Sequence, residues 1–168
     1  MDEQEVRRVV KTYADMIKRI SYNYLQSTYD SEDICQSVFL KYMTAESSFT
    51  NKEHEKAWMI RTTINACHDL RKSSFFKKTV ELTEAADKEM PEANNSGIME
   101  EIKRLPVNYR TAIYLFYFEG YSTEEIADIM GKRKTAVSKY LSRGRKILKD
   151  TLSDEYASMY KVGEQYEQ

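Results

Sequence analysis

Residues 121–149 read YSTEEIADIMGKRKTAVSKYLSRGRKILK, and their chemistry is that of two helices joined by a tight turn. Ser122 caps a helix while Glu125, three positions on, reaches back as the other half of a capping box. Tyr121 and Ile126 hold the two positions of a hydrophobic staple. Gly131 supplies a left-handed stop. After a turn of about three residues, a second helix runs to roughly Lys149, with Val137, Tyr140, Leu141, Gly144, Ile147 and Leu148 turned inward. This is a helix-turn-helix. The outward face of its second helix carries Thr135, Ser138, Lys139, Ser142, Arg143 and Lys146, and Lys132, Arg133 and Lys134 precede it. Residues 132–149 contain eight Lys or Arg and no acid, whereas an ordinary solvated helix mixes both signs. A face of this kind suits duplex DNA, whose phosphates reward each cation, and the start of such a helix meets base edges and backbone.

Upstream, Leu105-Pro106 sets up a helix start. The run AIYLFYF (112–118) is apolar throughout, so periodicity alone does not separate strand from helix there. Pro106 and Gly120 bracket a segment of helical length, and helix is the expectation. Residues 79–101 (TVELTEAADKEMPEANNSGIMEE) are acidic, poor in large apolar groups, and have linker composition. Before them, Val6, Val9, Val10, Tyr13, Ile17, Ile20 and Tyr24 recur at helical spacing. Asp30 and Ser31 read as the cap of a second helix striped by Ile34, Cys35, Val38, Phe39 and Tyr42. ESSFTNKEHEK (46–56) has loop chemistry. A third helix follows with Ala57, Ile60, Ile64 and Cys67 inward, and with Arg61, Asn65, His68 and Lys72 on its other face. The expected organisation is all-α: a helical domain at 1–78, a flexible linker at 79–101, a helix-turn-helix domain at 102–153 and an acidic tail at 154–168.

Composition agrees with this. The 168 residues are 41% hydrophobic and 32% charged, with only 5 Gly and 2 Pro, which disfavours turn-rich β architectures. The net charge of −1 conceals a division into +2 for 1–78, −6 for 79–101, +6 for 102–150 and −3 for 151–168. No apolar run approaches the length of a membrane span, and MDEQEVRRVV lacks the apolar centre of a signal peptide, so a cytoplasmic location is expected. Cys35 and Cys67 read as two buried thiols. Cys67-His68-Asp69 imitates a triad, but consecutive helical residues point about 100° apart and cannot converge. No glycine-rich phosphate loop and no metal-ligand spacing occurs, so no catalytic residue, metal or cofactor is expected.

The order of segments resembles a small extracytoplasmic-function sigma factor, the two-domain specificity subunit of bacterial RNA polymerase. DSEDICQSVFLKYM (30–43), AWMIRTTINACHDLRK (57–72) and RLPVNYRTAIYLFYFEGYSTEEIADIMGKRKTAVSKYLSRGRKILK (104–149) carry the likeness. The resemblance implies a region 2-like domain whose Asp33, Gln36, Phe39 and Leu40 meet the clamp coiled coil of the largest polymerase subunit. It implies a loop, Phe49, Thr50, Asn51 and Lys52, that receives a base flipped from the −10 element together with Asn65. Arg61, His68 and Lys72 would hold that strand's backbone, and Trp58 would pack the core. The region 4-like domain would read the −35 duplex in the major groove through Lys132, Arg133, Lys134, Thr135, Ser138, Lys139, Ser142, Arg143 and Lys146. The flap of the second-largest subunit and promoter DNA complete the implied partners, and the family admits an anti-sigma factor.

Two departures stand out. Ser37 occupies a position often acidic in the family, and Lys132-Arg133-Lys134 replaces a small capping residue or proline. Two other readings compete with the resemblance. One is a helix-turn-helix regulator that never joins polymerase; the other is an adaptor that has lost DNA binding. Residues 30–72 argue against the first and the basic run 132–149 against the second.

Overall fold

The computed structural model describes residues 2–46, 48–73 and 97–151, and the chain forms two compact units, Met1–Met90 and Pro91–Gln168. The described residues hold seven helices.

In the first unit α1 spans Glu3–Leu25, α2 Thr28–Thr44 and α3 Lys52–Lys72, and each packs on the other two. Asp2 caps α1 by accepting the Glu5 N–H at 2.8 Å. The helix ends at Gln26, a left-handed residue (φ 56°) whose N–H returns to the Tyr22 carbonyl. That turn leaves room for only Ser27 before the next helix, so α2 starts three residues earlier than Asp30-Ser31 suggests. Ser27 is its cap, accepting the Asp30 N–H at 3.2 Å. Asp30 becomes the first-turn acid that suits the helix dipole, and Ser31 is buried, donating to the Ser27 carbonyl. α3 likewise starts inside the stretch whose composition reads as loop, because Asn51 caps it at 2.8 Å from the His54 N–H. Val9, Tyr13, Ile17, Ile20, Val38, Met59, Ile60, Ile64 and Cys67 form the core. Val10 is exposed instead.

In the second unit α4 spans Gly97–Arg104, α5 Val107–Tyr117, α6 Thr123–Met130 and α7 Lys134–Thr151. α4 begins within the stretch 79–101 whose acidity reads as linker. Its acids pair along the helix, Lys103 to Glu100 at 3.0 Å and Arg104 to Glu101 at 2.6 Å, while Ile102 is fully buried. The rest of that stretch, 79–96, and the acidic tail lie outside the described residues. The apolar run 112–118 is helical as far as Tyr117, and Phe118 caps it. Arg110 through Leu115 are buried one after another, so this central helix has no polar face to impose a period.

α7 crosses α5 closely at Gly144, where a Cβ would stand 2.6 Å from Ile113 Cδ1. Ile113 is itself fully buried. Gly144→Ala gains about 1 kcal/mol of helix propensity but overpacks the crossing by about 1–3 kcal/mol. We expect a net loss of about 1 kcal/mol, read as a lower midpoint in urea unfolding followed by circular dichroism.

Candidate interfaces for nucleic acid and protein

Three exposed faces emerge from this framework. The first is built by α6, its turn and α7. The capping box is present in both directions: Ser122 N–H to Glu125 Oε2 at 2.8 Å and Glu125 N–H to Ser122 Oγ at 3.2 Å. Gly131 is left-handed (φ 63°), and the Lys132 N–H bonds the Ala127 carbonyl at 2.9 Å, closing α6 with a Schellman arrangement. Val137, Leu141, Gly144 and Leu148 bury one side of α7. Lys132, Arg133, Lys134, Thr135, Lys139, Ser142, Arg143 and Lys146 are exposed, and Ser138 is half-buried. Three positions differ from the sequence pattern. Ile147 is 39% exposed, and Arg145 is buried in its place. Tyr140 is half-buried, with its ring 5.8 Å from that of Tyr109. Lys134 Nζ donates to Glu124 at 2.8 Å, and this pairing holds the Glu124 carboxyl below its ordinary value.

The second face lies on α3, where Arg61, Asn65, His68 and Lys72 are all exposed along one side. The residues before α3 are more committed than the sequence suggests. The Phe49 ring stacks on Tyr42 (centroids 5.6 Å, 4° between planes) and meets His54 and Trp58 edge-on. One of its planes is therefore already covered. The Asn51 carbonyl oxygen is taken by the cap, leaving its side-chain N–H groups. Thr50 donates its backbone N–H to His54 Nδ1 at 3.5 Å, so His54, absent from the sequence-derived set, stands among these residues. Trp58 is half-buried against Tyr42 and Phe49. The apparent triad is dismantled: Cys67 is fully buried and its thiol pushed up to about 12 by burial, while His68 and Asp69 are exposed with 3.8 Å between them.

The third face is the outer side of α2. Asp33, Gln36 and Leu40 are exposed there, Leu40 by 60%, and Phe39 is half-buried. Tyr29 and Met43, which sequence reasoning did not include, extend the row at 73% and 40% exposure. Positions 29, 33, 36, 40 and 43 alternate steps of four and three, the spacing of a coiled-coil seam.

Beneath the first unit's faces sits a buried carboxylate that the sequence reading also missed. Glu55, in the first turn of α3, accepts from Arg8 at 2.7 and 3.2 Å, from the Tyr13 hydroxyl at 2.8 Å and from the Tyr42 hydroxyl at 2.6 Å. Burial alone would raise its pKa, but these donors outweigh it and bring the carboxyl down to about 2. Arg8 is held from its other side by Glu5.

Comparison with known proteins gives these faces a family. Residues 9–74 match sigma-70 region 2, and residues 97–148 match sigma-70 region 4. The chain belongs to the sigma-70 family of extracytoplasmic-function type. It is a promoter-directed transcription initiation factor, and sigma factors bind core RNA polymerase and promoter DNA. Curated relatives include the RNA polymerase sigma factor SigV of Bacillus subtilis (strain 168), 27% identical over 142 residues, 82% of this chain and 84% of SigV. The ECF RNA polymerase sigma factor SigW of the same organism is 28% identical over 171 residues, 91% of each chain. Among solved structures, the sigma factor RpoE in complex with the anti-sigma factor NepR from Bartonella quintana shares the fold, with a TM-score of 0.65 at 18% identity over 88% of this chain and 96% of that one. For this sigma factor, then, α1–α3 lie in region 2 and α4–α7 in region 4. No helix among the described residues is long and apolar enough to cross a membrane.

Proposed function

We propose that the sigma factor seats itself on core polymerase through the outer row of α2 and reads its promoter with α3 and α7. Tyr29, Asp33, Gln36, Leu40 and Met43 would lie along the clamp coiled coil of the largest subunit, with Phe39 at the edge. The flap of the second-largest subunit would receive the region 4 unit. Thr50, Asn51 and Lys52 would border a base unstacked from the −10 element, with Asn65 beside it and Arg61, His68 and Lys72 on the backbone. Phe49 then serves by holding its own segment against Tyr42, and it offers at most its uncovered side to a base. Thr135, Ser138, Lys139, Ser142, Arg143 and Lys146 would enter the −35 major groove behind Lys132 and Arg133. The chain itself carries no active site on this reading; polymerase performs the chemistry, in the cytoplasm. Binding to an anti-sigma factor, as RpoE binds NepR, would withhold it from polymerase.

The observation that carries this reading is α7, with Val137, Leu141 and Leu148 buried on one side and a row of cations exposed on the other. Lys139→Ala with Arg143→Ala tests it. Binding of the full chain to a −35 duplex, measured by fluorescence anisotropy across salt concentrations, should weaken. Its log–log salt slope should flatten by about 0.9 per lost phosphate contact. An unchanged slope would make the cationic row a solvated surface and defeat the reading.

A further inference from the structure

We propose that Glu124 holds Lys134 off the DNA backbone and so keeps the sequence-independent affinity of the region 4 unit low. The inference rests on the assignment of α7 to duplex DNA and adds a specificity-setting residue to it. Lys132, Arg133 and Lys134 open α7 with three consecutive cations. Phosphate contacts raise affinity for every sequence alike, so such a cluster erodes the preference for one promoter over bulk DNA. Lys134 is set apart from its two neighbours. Its Nζ is drawn across the turn, ten residues back, onto the Glu124 carboxylate at 2.8 Å. Among the described residues, no carboxylate partner is seen for Lys132, Arg133, Lys139, Arg143 or Lys146.

Glu124 is not needed to cap α6, because Ser122 and Glu125 already complete the box. Nor does the pair hold the fold together. Its side chains are 60% and 73% exposed, and exposed pairs contribute little stability. What the pair does change is local charge: the first helix of a helix-turn-helix crosses the backbone, and a neutralised lysine there offers a phosphate nothing. Displacing the carboxylate requires a competing phosphate in the right place, which a correctly seated duplex supplies and a glancing encounter does not.

The test is a cycle of Glu124→Gln, Lys134→Ala and the double variant in the full chain. Each binds a fluorescent duplex with the −35 element and a scrambled one of equal length across a salt series. Glu124→Gln should tighten scrambled-duplex binding about fivefold and steepen its slope by about 0.9, narrowing the ratio between the two duplexes. Lys134→Ala alone should leave scrambled-duplex binding nearly unchanged while weakening the −35 duplex, where a seated phosphate takes the lysine, and in the double variant it should abolish the gain on the scrambled duplex. An unaltered Glu124→Gln overturns the proposal. So does a gain that survives in the double variant, which would place the effect on repulsion of phosphate by the carboxylate itself. Lys139→Ala with Arg143→Ala, run beside them, separates the two levels. If that pair leaves the slope unchanged, the assignment of α7 has failed; if it flattens the slope while Glu124→Gln does nothing, only the role of Glu124 has.

Discussion

Glu55→Ala is expected to cost the first unit about 3 kcal/mol or more, the scale at which one member of a buried ionic pair is lost. The carboxylate joins all three helices of the unit, with Arg8 and Tyr13 on α1, Tyr42 on α2 and Glu55 itself opening α3. Its removal strands two buried hydroxyls together. Arg8 keeps Glu5, which places the loss toward the lower end of the range for a broken buried pair. Trp58 is the chain's single tryptophan and lies in this unit, against Tyr42 and Phe49. Urea unfolding followed by its fluorescence therefore reports on the first unit. The pH dependence gives a second check. The folded Glu55 carboxyl is lowered to about 2, against an unfolded value near 4.3. The unfolded chain thus binds the proton first as pH falls. The stabilisation is complete above about pH 4.3 and disappears as pH drops through about 2. Glu55→Gln should accordingly be less stable than the natural chain at pH 7, with the gap closing between those two values. A gap that stays constant with pH would mean that the ionised carboxylate is not what the network binds.

That network shows where the sequence was legible and where it was not. Helix signals written in neighbouring residues came through: the Ser122–Glu125 box, the Gly131 stop and the Val137, Leu141, Gly144 and Leu148 positions of the α7 stripe fold as their spacing dictates. The α2 start was missed because two capping residues compete within four positions, and the left-handed turn at Gln26 decides between them. α4 was hidden by composition, since two acids and two bases around Ile102, at the end of an acidic stretch, look like linker until the i,i+3 pairs are drawn. Arg145 and Ile147 exchanged places for a simpler reason. Near the end of α7 the inward stripe drifts, and Arg145 is taken inside as far as its guanidinium. Glu55 did leave a trace, because it precedes Met59, Thr63 and Cys67 by steps of four on the inward side of α3. An acid on an apolar stripe announces a buried partner, but Arg8 lies 47 residues away, and no local pattern names it. The residues around Asn51 were the least readable, since whether Phe49 faces a base or Tyr42 is a tertiary matter.

Leu40→Asp should abolish association with core polymerase while leaving the first unit folded. Leu40 is 60% exposed, so an aspartate there meets water in the free chain and disturbs no core contact. In the complex it would stand at the fourth of five positions in the row 29, 33, 36, 40, 43, facing the apolar seam of a coiled coil. A carboxylate without a partner would then be desolvated in the middle of an interface, where a few central side chains supply most of the binding energy. A loss of at least 2 kcal/mol, roughly thirtyfold or more in affinity, is the expected scale. Tyr29→Ala, at the end of the row, should cost less because the rim of an interface stays wet. The measurement is co-purification of tagged chains with the core subunits, backed by titration of labelled chain against core polymerase. Trp58 fluorescence should be unchanged in Leu40→Asp, and its salt slope on a −35 duplex should match that of the natural chain, since α7 is untouched. Retained polymerase binding in Leu40→Asp would remove the α2 row from the interface. Loss of polymerase together with an altered Trp58 signal would instead mean that the row supports the fold, and the loss would then not report on the interface.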